Sequence, residues 1–291
     1  MELTFLGTGT SIGVPAIGCS CEVCRSAEPK DKRMRCSAIV ETDEGLRILI
    51  DCGPDFRSQI LQHEFQKFDA VLITHSHYDH VAGIDDLRPF CWFGDVQIYG
   101  SADVVETLHH TMPYCFKKDL YPGVPRLNLH EIRPSEPFTV NRPEPINVQF
   151  HPSGASLDGT LNTEGEMVSL PAIPKGVEIM PIRVMHGQLP ILGYRIGKLG
   201  YITDMKSYDD EAVRLMTGVD TLVVNALRFE KPHHSHQLVD DAIEFSRKVK
   251  ARRTLLIHVT HDIGTHDIAN SRLPEGVEFA YDGQEVLILN S

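Results

Sequence analysis

The chain has 291 residues and a formal net charge of −12, with 40 acidic, 28 basic and 15 histidine side chains. Hydrophobic residues make up 42% and charged residues 23%, a balance typical of a globular protein with a large core. The acidic total argues against broad, non-specific binding to nucleic acid. No apolar run reaches the roughly 18 residues of a transmembrane helix, so we expect no membrane span.

Residues 1–6 have no basic segment and lead straight into a strand-like pattern, so we expect no signal peptide. The cysteine count is 7, and an odd number suits a reducing compartment better than a disulfide framework. We therefore expect a cytoplasmic protein. The histidines are the unusual feature, because they cluster and because histidine is the commonest metal ligand.

Short apolar patterns predict strands along most of the chain. They lie at 2–6, 37–41, 46–51, 69–74, 96–100, 146–150, 178–184, 193–197, 199–203, 219–224, 254–259, 277–280 and 285–289. Helical periodicity appears at 55–66, 80–88, 101–110, 208–216 and 236–250. This mixture predicts a layered α/β protein. The proline-rich stretch 112–176 is less regular, and we expect it to be an insertion or long loops within a single domain over 1–291.

A dense histidine motif follows the strand predicted at 69–74. His75, His77, Asp79 and His80 provide three imidazoles and one carboxylate, which are typical ligands of Zn²⁺, Mn²⁺ or Fe²⁺. His75 and His77 alternate and would face one side if the strand geometry continues, whereas Asp79 and His80 would diverge at a helix start. The motif therefore predicts two metal ions a few ångströms apart.

Three further candidate ligands come at the ends of later apolar strands. They are His186, Asp204 and His258. Because α/β proteins usually build their sites at the carboxyl ends of strands, we expect these side chains to join the first histidine motif.

The segment from Thr74 to Gly83 resembles the signature of the metallo-β-lactamase superfamily, whose later metal motifs match the three strand-end residues in order. The resemblance covers nearly the whole chain and is weakest over 112–176. It implies an αββα four-layer sandwich, the metallo-β-lactamase fold, with a dinuclear site at one edge. It also implies a division of ligands, with His75, His77 and His186 on one ion, Asp79, His80 and His258 on the other, and Asp204 bridging both.

Three cysteines with C-x-C-x-x-C spacing, Cys19, Cys21 and Cys24, are favourable ligands for tetrahedral zinc. A closed site needs a fourth ligand, and His261, just beyond His258, is a suitable one. A redox pair or inert core thiols are the alternative interpretations.

The cysteine motif resembles one branch of the superfamily, the PhnP-type phosphoribosyl 1,2-cyclic phosphate phosphodiesterases, and residues 7–10 match the segment that precedes it there. The resemblance implies that His261 completes a structural zinc site. It also implies that His236 contacts the scissile phosphate or protonates the leaving oxygen. We place His236 directly before the helix predicted at 236–250, where the helix dipole favours an anion. A surface histidine cluster with His233 and His234 is the alternative.

Two divalent ions bridged by a carboxylate would lower the pKa of a shared water and stabilise anionic oxygens. We therefore predict a phosphodiesterase in which a metal-bridging hydroxide attacks a small cyclic phosphate or nucleotide-like diester. The predicted catalytic residues are Asp79, which would orient the nucleophile or accept its proton, and His236. The predicted cofactors are two divalent ions, either zinc, manganese or iron, together with one structural zinc.

Two other functions stay open. A tRNA 3′-processing endonuclease would use a similar core, but 151–176 has a single lysine or arginine, Lys175, where that branch usually has a basic arm. A non-enzymatic metal or redox sensor is the other alternative, and the complete ligand set argues against it. The expected partner is a small anionic diester, not a membrane or a large nucleic acid, and a homodimer is left open. The basic run 30–35 is either a solvated loop or an aid to phosphate capture.

Overall fold

The computed structural model describes residues 1–150 and 166–289, so 151–165 and the last two residues lie outside the described residues. The strands are β1 (Glu2–Gly7), β2 (Ser37–Glu41), β3 (Arg47–Ile50), β4 (Ala70–Leu72), β5 (Val96–Gly100), β6 (Leu127–Glu131), β7 (Phe138–Arg142), β8 (Ile146–Phe150), β9 (Glu166–Leu170), β10 (Ile173–His186), β11 (Leu189–Ile196), β12 (Leu199–Ile202), β13 (Thr221–Asn225), β14 (Arg253–Ile257), β15 (Val277–Phe279) and β16 (Glu285–Leu287).

Seven short α-helices connect or flank these strands. They are α1 (Glu22–Arg25), α2 (Phe56–Ile60), α3 (Tyr78–Val81), α4 (Ala102–Thr111), α5 (Asp210–Met216), α6 (Val239–Val249) and α7 (His266–Asn270), and 3₁₀ turns occupy Pro29–Asp31, Ile84–Phe93, Pro113–Phe116 and His261–Ile263. Within the described ranges, none of these helices is long and apolar enough to cross a bilayer.

Two seven-stranded sheets form the middle layers. Their orders are β16-β1-β2-β3-β4-β5-β6 and β15-β14-β13-β12-β11-β10-β7. A core of buried side chains lies between them, with Phe5 and Ile50 from the first sheet and Tyr194 and Leu255 from the second. Two further apolar clusters cover the outer faces, where the helices pack. The predicted αββα sandwich is confirmed.

Parallel pairing sets the position of the functional edge. In the first sheet β3, β4, β5 and β6 run parallel, and in the second β12, β13, β14 and β15 do the same. The carboxyl ends of parallel strands meet at one edge of a sheet. The segments that follow β3, β4, β12 and β14 therefore lie at such an edge. Those segments contain the histidine motif, Asp204 and His258, and His186 is the last residue of β10.

The segment 112–176 contains more regular structure than predicted. β6 extends the first sheet beside β5, β7 extends the second beside β10, and β8 and β9 form a separate two-stranded sheet. The proline content of this segment led to the expectation of loops. The prolines fall mostly between the strands, so they do not prevent strand formation.

Two predicted helices are shorter than expected. The helix expected at 55–66 ends at Ile60. The chain then turns, and the rings of Phe65 and Phe68 pack on Phe90, each with its centroid 4.9 Å from that of Phe90. The helix expected at 80–88 is α3 followed by a 3₁₀ turn that contains Pro89, whose ring has no N–H to donate. Aromatic packing and proline therefore override the local helical period.

The basic run 30–35 is not a solvated loop throughout. The guanidinium of Arg33 is buried and donates to Thr8 Oγ1 at 2.8 Å and to the carbonyl of Ala280 at 2.5 Å. Asp282 accepts hydrogen bonds from the Thr8 and Met34 amides at 2.9 and 2.6 Å, and burial raises its pKa to about 6. This network joins the N-terminal loops to the C-terminal strands.

A buried ion pair ties segment 112–176 to the first sheet. Arg142 at the end of β7 donates through Nε and Nη2 to Asp69 at 2.9 and 2.6 Å, and both side chains are buried. Replacing Asp69 with Ala leaves the guanidinium without its counter-charge, so we expect the free energy of unfolding to fall by about 3–5 kcal/mol in urea denaturation.

The double variant Asp69→Leu/Arg142→Met removes both charges and is the control. It should recover much of the loss, since apolar residues of similar size often replace a buried pair at little cost. A loss below about 1 kcal/mol for Asp69→Ala would contradict the buried pairing.

Candidate active site

The backbone itself is bent at the edge where the parallel strands end. Asp51 follows β3, Asp204 comes shortly after β12, and His258 follows β14. All three adopt left-handed φ angles, of 59°, 56° and 55°. Such conformations cost non-glycine residues on the order of 1–3 kcal/mol each, and they persist where the surrounding structure holds them, often at functional sites.

Four of the predicted ligands form one tight group. The ligand atoms of Asp79, His80, Asp204 and His258 all lie within 4.8 Å of one another, and the four residues are buried. His80 Nε2 lies 3.2 Å from Asp79 Oδ2 and 3.3 Å from Asp204 Oδ2, and His258 Nε2 lies 3.1 Å from Asp204 Oδ1.

The Nε2 atoms of His80 and His258 are buried and have no hydrogen-bond partner among the described residues. Carboxylate oxygens of Asp204 nevertheless lie 3.3 and 3.1 Å from them. Nitrogen and oxygen atoms that converge without hydrogen-bond geometry fit a shared cation better than they fit one another. Two imidazoles and two carboxylates are a suitable donor set for a borderline divalent ion.

The other three predicted ligands lie beside this group, and the ring centroid of His75 is 4.2 Å from that of His80. The ring centroids of His75 and His77 are 4.6 Å apart, and that of His186 is 5.8 and 5.2 Å from them. His75, His77 and His186 form no equally tight group among the described residues. Instead, His186 groups with Asp204 and His236 within 4.8 Å.

The orientation of His186 is fixed by the backbone. Its Nδ1 lies 2.8 Å from the carbonyl of Asp204 and 2.9 Å from that of Ser235. Since a carbonyl can only accept, Nδ1 must carry the proton. The lone pair is then on Nε2, the arrangement found in metal-binding histidines.

Electrostatics at the edge favour bound positive charge. Burial would raise the pKa of Asp204, but His258 and His80 hold it well below its usual range. Burial alone would lower the pKa of His80, and the carboxylates of Asp51 and Asp204 raise it well above its usual range instead. Buried ionised carboxylates need such compensation, which a divalent ion supplies as well as a protonated imidazole does.

Asp51 is a residue that the sequence analysis missed. Its carboxylate is buried, accepts from the Thr74 amide at 2.9 Å and lies 2.7 Å from His80 Nδ1. A carboxylate on the second nitrogen of a ligating histidine fixes its tautomer and raises its basicity. The available signal was its place directly after the apolar strand β3, the same place that marked His258 after β14.

His236 lies at the mouth of the site but not at a helix start. Its Nδ1 is 3.7 Å from Asp204 Oδ1, and its ring centroid is 4.9 Å from that of His258. Helix α6 begins only at Val239, because Asp241 accepts the Leu238 amide at 2.9 Å and so caps the helix there. The prediction of a helix from 236 was therefore wrong, and the helix dipole gives His236 no support.

The three motif cysteines and His261 form a second group. Their ligand atoms lie within 4.8 Å of one another, and Cys24 Sγ is 3.5 Å from His261 Nδ1. All seven cysteines are free thiols. Three sulfur atoms and one imidazole nitrogen are a suitable set for tetrahedral zinc. Because His261 comes soon after His258, this group adjoins the histidine and carboxylate edge.

Comparisons with known proteins agree with the fold. The model of the beta-lactamase superfamily domain matches residues 46–259. The chain belongs to this superfamily. A crystal structure described as a new diphosphatase from the PhnP family has a TM-score of 0.78 and 34% identity over 99% of this chain and 98% of its own. The predicted resemblance to this superfamily and to its PhnP-type branch is confirmed.

Two curated superfamily relatives have different names. An octanoyltransferase of Porphyromonas gingivalis is 38% identical over 288 residues, which are 99% of this chain and 52% of that protein. The chain thus spans about half the length of this relative. A ribonuclease Z of Methanococcus maripaludis is 24% identical over 99% of this chain and 96% of its own. The prediction of an enzyme is confirmed at the level of the superfamily, because its relatives are named as enzymes.

Replacing Asp51 with Asn tests the support of His80. The amide cannot match the charge that stabilises the ring, so we expect the affinity for Zn²⁺ or Mn²⁺ to fall by about 10–100-fold, measured by competition with a chromogenic chelator. Asp55→Asn is the control, because Asp55 pairs with Arg35 and not with a candidate ligand. Equal affinities of Asp51→Asn and the wild type would contradict this role.

Proposed function

We propose that the protein is a dinuclear-metal-dependent phosphodiesterase that hydrolyses a small cyclic phosphate or nucleotide-like phosphodiester. The observation that carries this proposal is the pair of buried, unpartnered nitrogens, His80 Nε2 and His258 Nε2, facing the carboxylates of Asp79 and Asp204. His75, His77 and His186 would complete the ligand set, and Asp204 would bridge the two ions.

Each residue of the edge has a distinct role in this proposal. Divalent ions held there would supply a nucleophilic water at neutral pH and polarise the phosphoryl oxygens. Asp79, with Oδ2 3.6 Å from His258 Nε2, would orient that water and accept its proton. His236, whose side chain is only 12% exposed, would contact a phosphate oxygen or give a proton to the leaving oxygen.

The description of the structural relative as a diphosphatase supports a substrate in which phosphorus is attacked. A diphosphate diester is chemically close to the proposed substrates, since its two phosphorus atoms each carry ester-like oxygens. The substrate class proposed here therefore includes small nucleotide-like diphosphate diesters.

We also propose that residues 1–291 form one hydrolase domain in the cytoplasm. The segment 112–176 contributes β6 to the first sheet and β7 to the second, which supports its inclusion in that domain. A homodimer stays a prediction.

The main proposal is tested with purified, metal-loaded protein and bis(p-nitrophenyl) phosphate. We expect hydrolysis, and we expect Asp79→Asn to lower kcat by at least about 100-fold because it loses the proton acceptor. Asp95→Asn should leave kcat unchanged, because Asp95 forms only an exposed ion pair with Arg126. Failure to hydrolyse any cyclic or aryl phosphodiester would contradict the proposal.

Processing of tRNA 3′ ends is the second candidate, favoured by the full-length similarity to the ribonuclease Z. It predicts cleavage of a precursor tRNA with a 3′ trailer and binding that weakens steeply with salt. Cleavage of that RNA at a higher kcat/KM than any small diester would favour this candidate over the proposed one.

We propose in addition that Cys19, Cys21, Cys24 and His261 hold a structural zinc. Cys24→Ser replaces a thiolate with a poor zinc ligand, so we expect the zinc content to fall by about one ion per chain and the melting temperature to drop. The control is Cys115→Ser, which alters a buried cysteine outside the group. Equal zinc content in both variants would rule out this site.

A further inference from the structure

A small cavity lies against the histidine motif. It measures about 300 Å³, at the lower end of the roughly 300–1,000 Å³ of small-molecule sites. Ser76 and Tyr78 belong to its lining. They alternate along the chain with the candidate ligands His75, His77 and Asp79. Because neighbouring Cα atoms are only about 3.8 Å apart, the wall of the cavity begins one residue from the candidate metal ligands.

The buried part of the lining is apolar. Leu108 in α4 and Met112 directly after it both line the cavity and belong to the buried cluster on the outer face of the first sheet. Val81 of α3 also lines the cavity and packs against the same cluster. Since core side chains are closely packed, we expect this part of the cavity to keep its shape without a ligand.

Two tyrosines form an exposed part of the lining. Tyr78 is 74% exposed and Tyr114 is 38% exposed. Neither ring contacts another aromatic ring among the described residues. The hydroxyl of Tyr114 donates to Asp85 Oδ1 at 2.8 Å, and Arg88 pairs with the same carboxylate. Exposed aromatic rings beside an apolar lining are suited to stacking on a planar group.

The lining also restricts what can enter. It contains no lysine or arginine, and its one carboxylate, that of Asp85, is paired with Arg88. The cavity therefore has no cation of its own for a phosphate. Its volume suits a single ring system better than a peptide helix or a run of stacked bases. An occupant with a phosphate would have to place that phosphate outside the cavity, where the candidate metal ligands lie.

We propose that this cavity binds the base of a nucleotide-like substrate, with Tyr78 stacking on the base while the phosphate lies at the metal edge. This inference rests on the proposed phosphodiesterase function, and it favours a nucleotide-like diester over a cyclic phosphate without a base. In a nucleotide one sugar separates the base from the phosphate. This arrangement matches an apolar cavity that begins one residue from the candidate ligands.

The experiment measures the binding of two probes to the metal-loaded protein by isothermal titration calorimetry. Adenosine monophosphate and ribose 5-phosphate share the sugar and the phosphate, and only the first has a base. We expect the wild type to bind adenosine monophosphate about tenfold more tightly, as for one base stacked on an aromatic ring. Tyr78→Ala should remove most of this preference, with the Kd for ribose 5-phosphate within about twofold of the wild type. Tyr78→Phe should keep the preference, because stacking needs the ring and not the hydroxyl.

A second variant alters the cavity from another element. Thr111→Trp would place a large ring in the cavity from the end of α4, outside the histidine motif, so it should weaken the binding of adenosine monophosphate alone. Tyr121→Ala is the matched control. Tyr121 is 78% exposed, much like Tyr78, but it does not line the cavity, so its loss should change the affinity for neither probe.

Equal affinity of the wild type for the two probes would overturn the base site. An unchanged preference in both Tyr78→Ala and Thr111→Trp would overturn it as well. If Tyr78→Ala weakens both probes equally through loss of metal, the preference of Thr111→Trp decides. Hydrolysis of bis(p-nitrophenyl) phosphate is measured separately, and its absence in the wild type would overturn the phosphodiesterase function instead.

Discussion

Charge compensation at one buried edge is the constraint on which the structure depends. Asp51, Asp79 and Asp204 place three carboxylates where water is largely excluded, and unpaired buried charge is very costly. Asp51 is hydrogen-bonded to His80 Nδ1, but His80 Nε2 and His258 Nε2 face Asp79 and Asp204 without a hydrogen-bond partner among the described residues. Positive charge bound among them would offset this cost, so metal binding at this edge would also stabilise the fold.

The two sheets provide the rigidity that this edge needs. Left-handed backbone at Asp51, Asp204 and His258 is unfavourable in isolation, and it survives because each residue leaves a fully buried strand. The apolar core between the sheets holds β3, β12 and β14 at fixed separations. Packing energy spread over the sandwich thus offsets local strain at the site, and the ligand atoms are preorganised before a substrate arrives.

The distribution of charge matters more for substrate choice than the total of −12 does. Carboxylates elsewhere on the surface disfavour a long polyanion, which must approach over a wide area. A small phosphate ester would meet mainly the edge where the candidate metal ligands lie. An acidic protein can therefore select small anions while discouraging large ones, provided that the positive charge is concentrated at one edge.

The sequence alone determined the histidine motif, the later candidate ligands His186, Asp204 and His258, and the cysteine group, because strand ends and ligand types are local properties. Only the tertiary structure decided the rest. The partnership of Asp51 with His80 and the contacts of the buried Arg33 with Thr8 and Ala280 join residues far apart in the chain. The strands within 112–176 and the late start of α6 depend on long-range pairing and capping, which override local periodicity. Contacts of this kind have no signature in a single sequence.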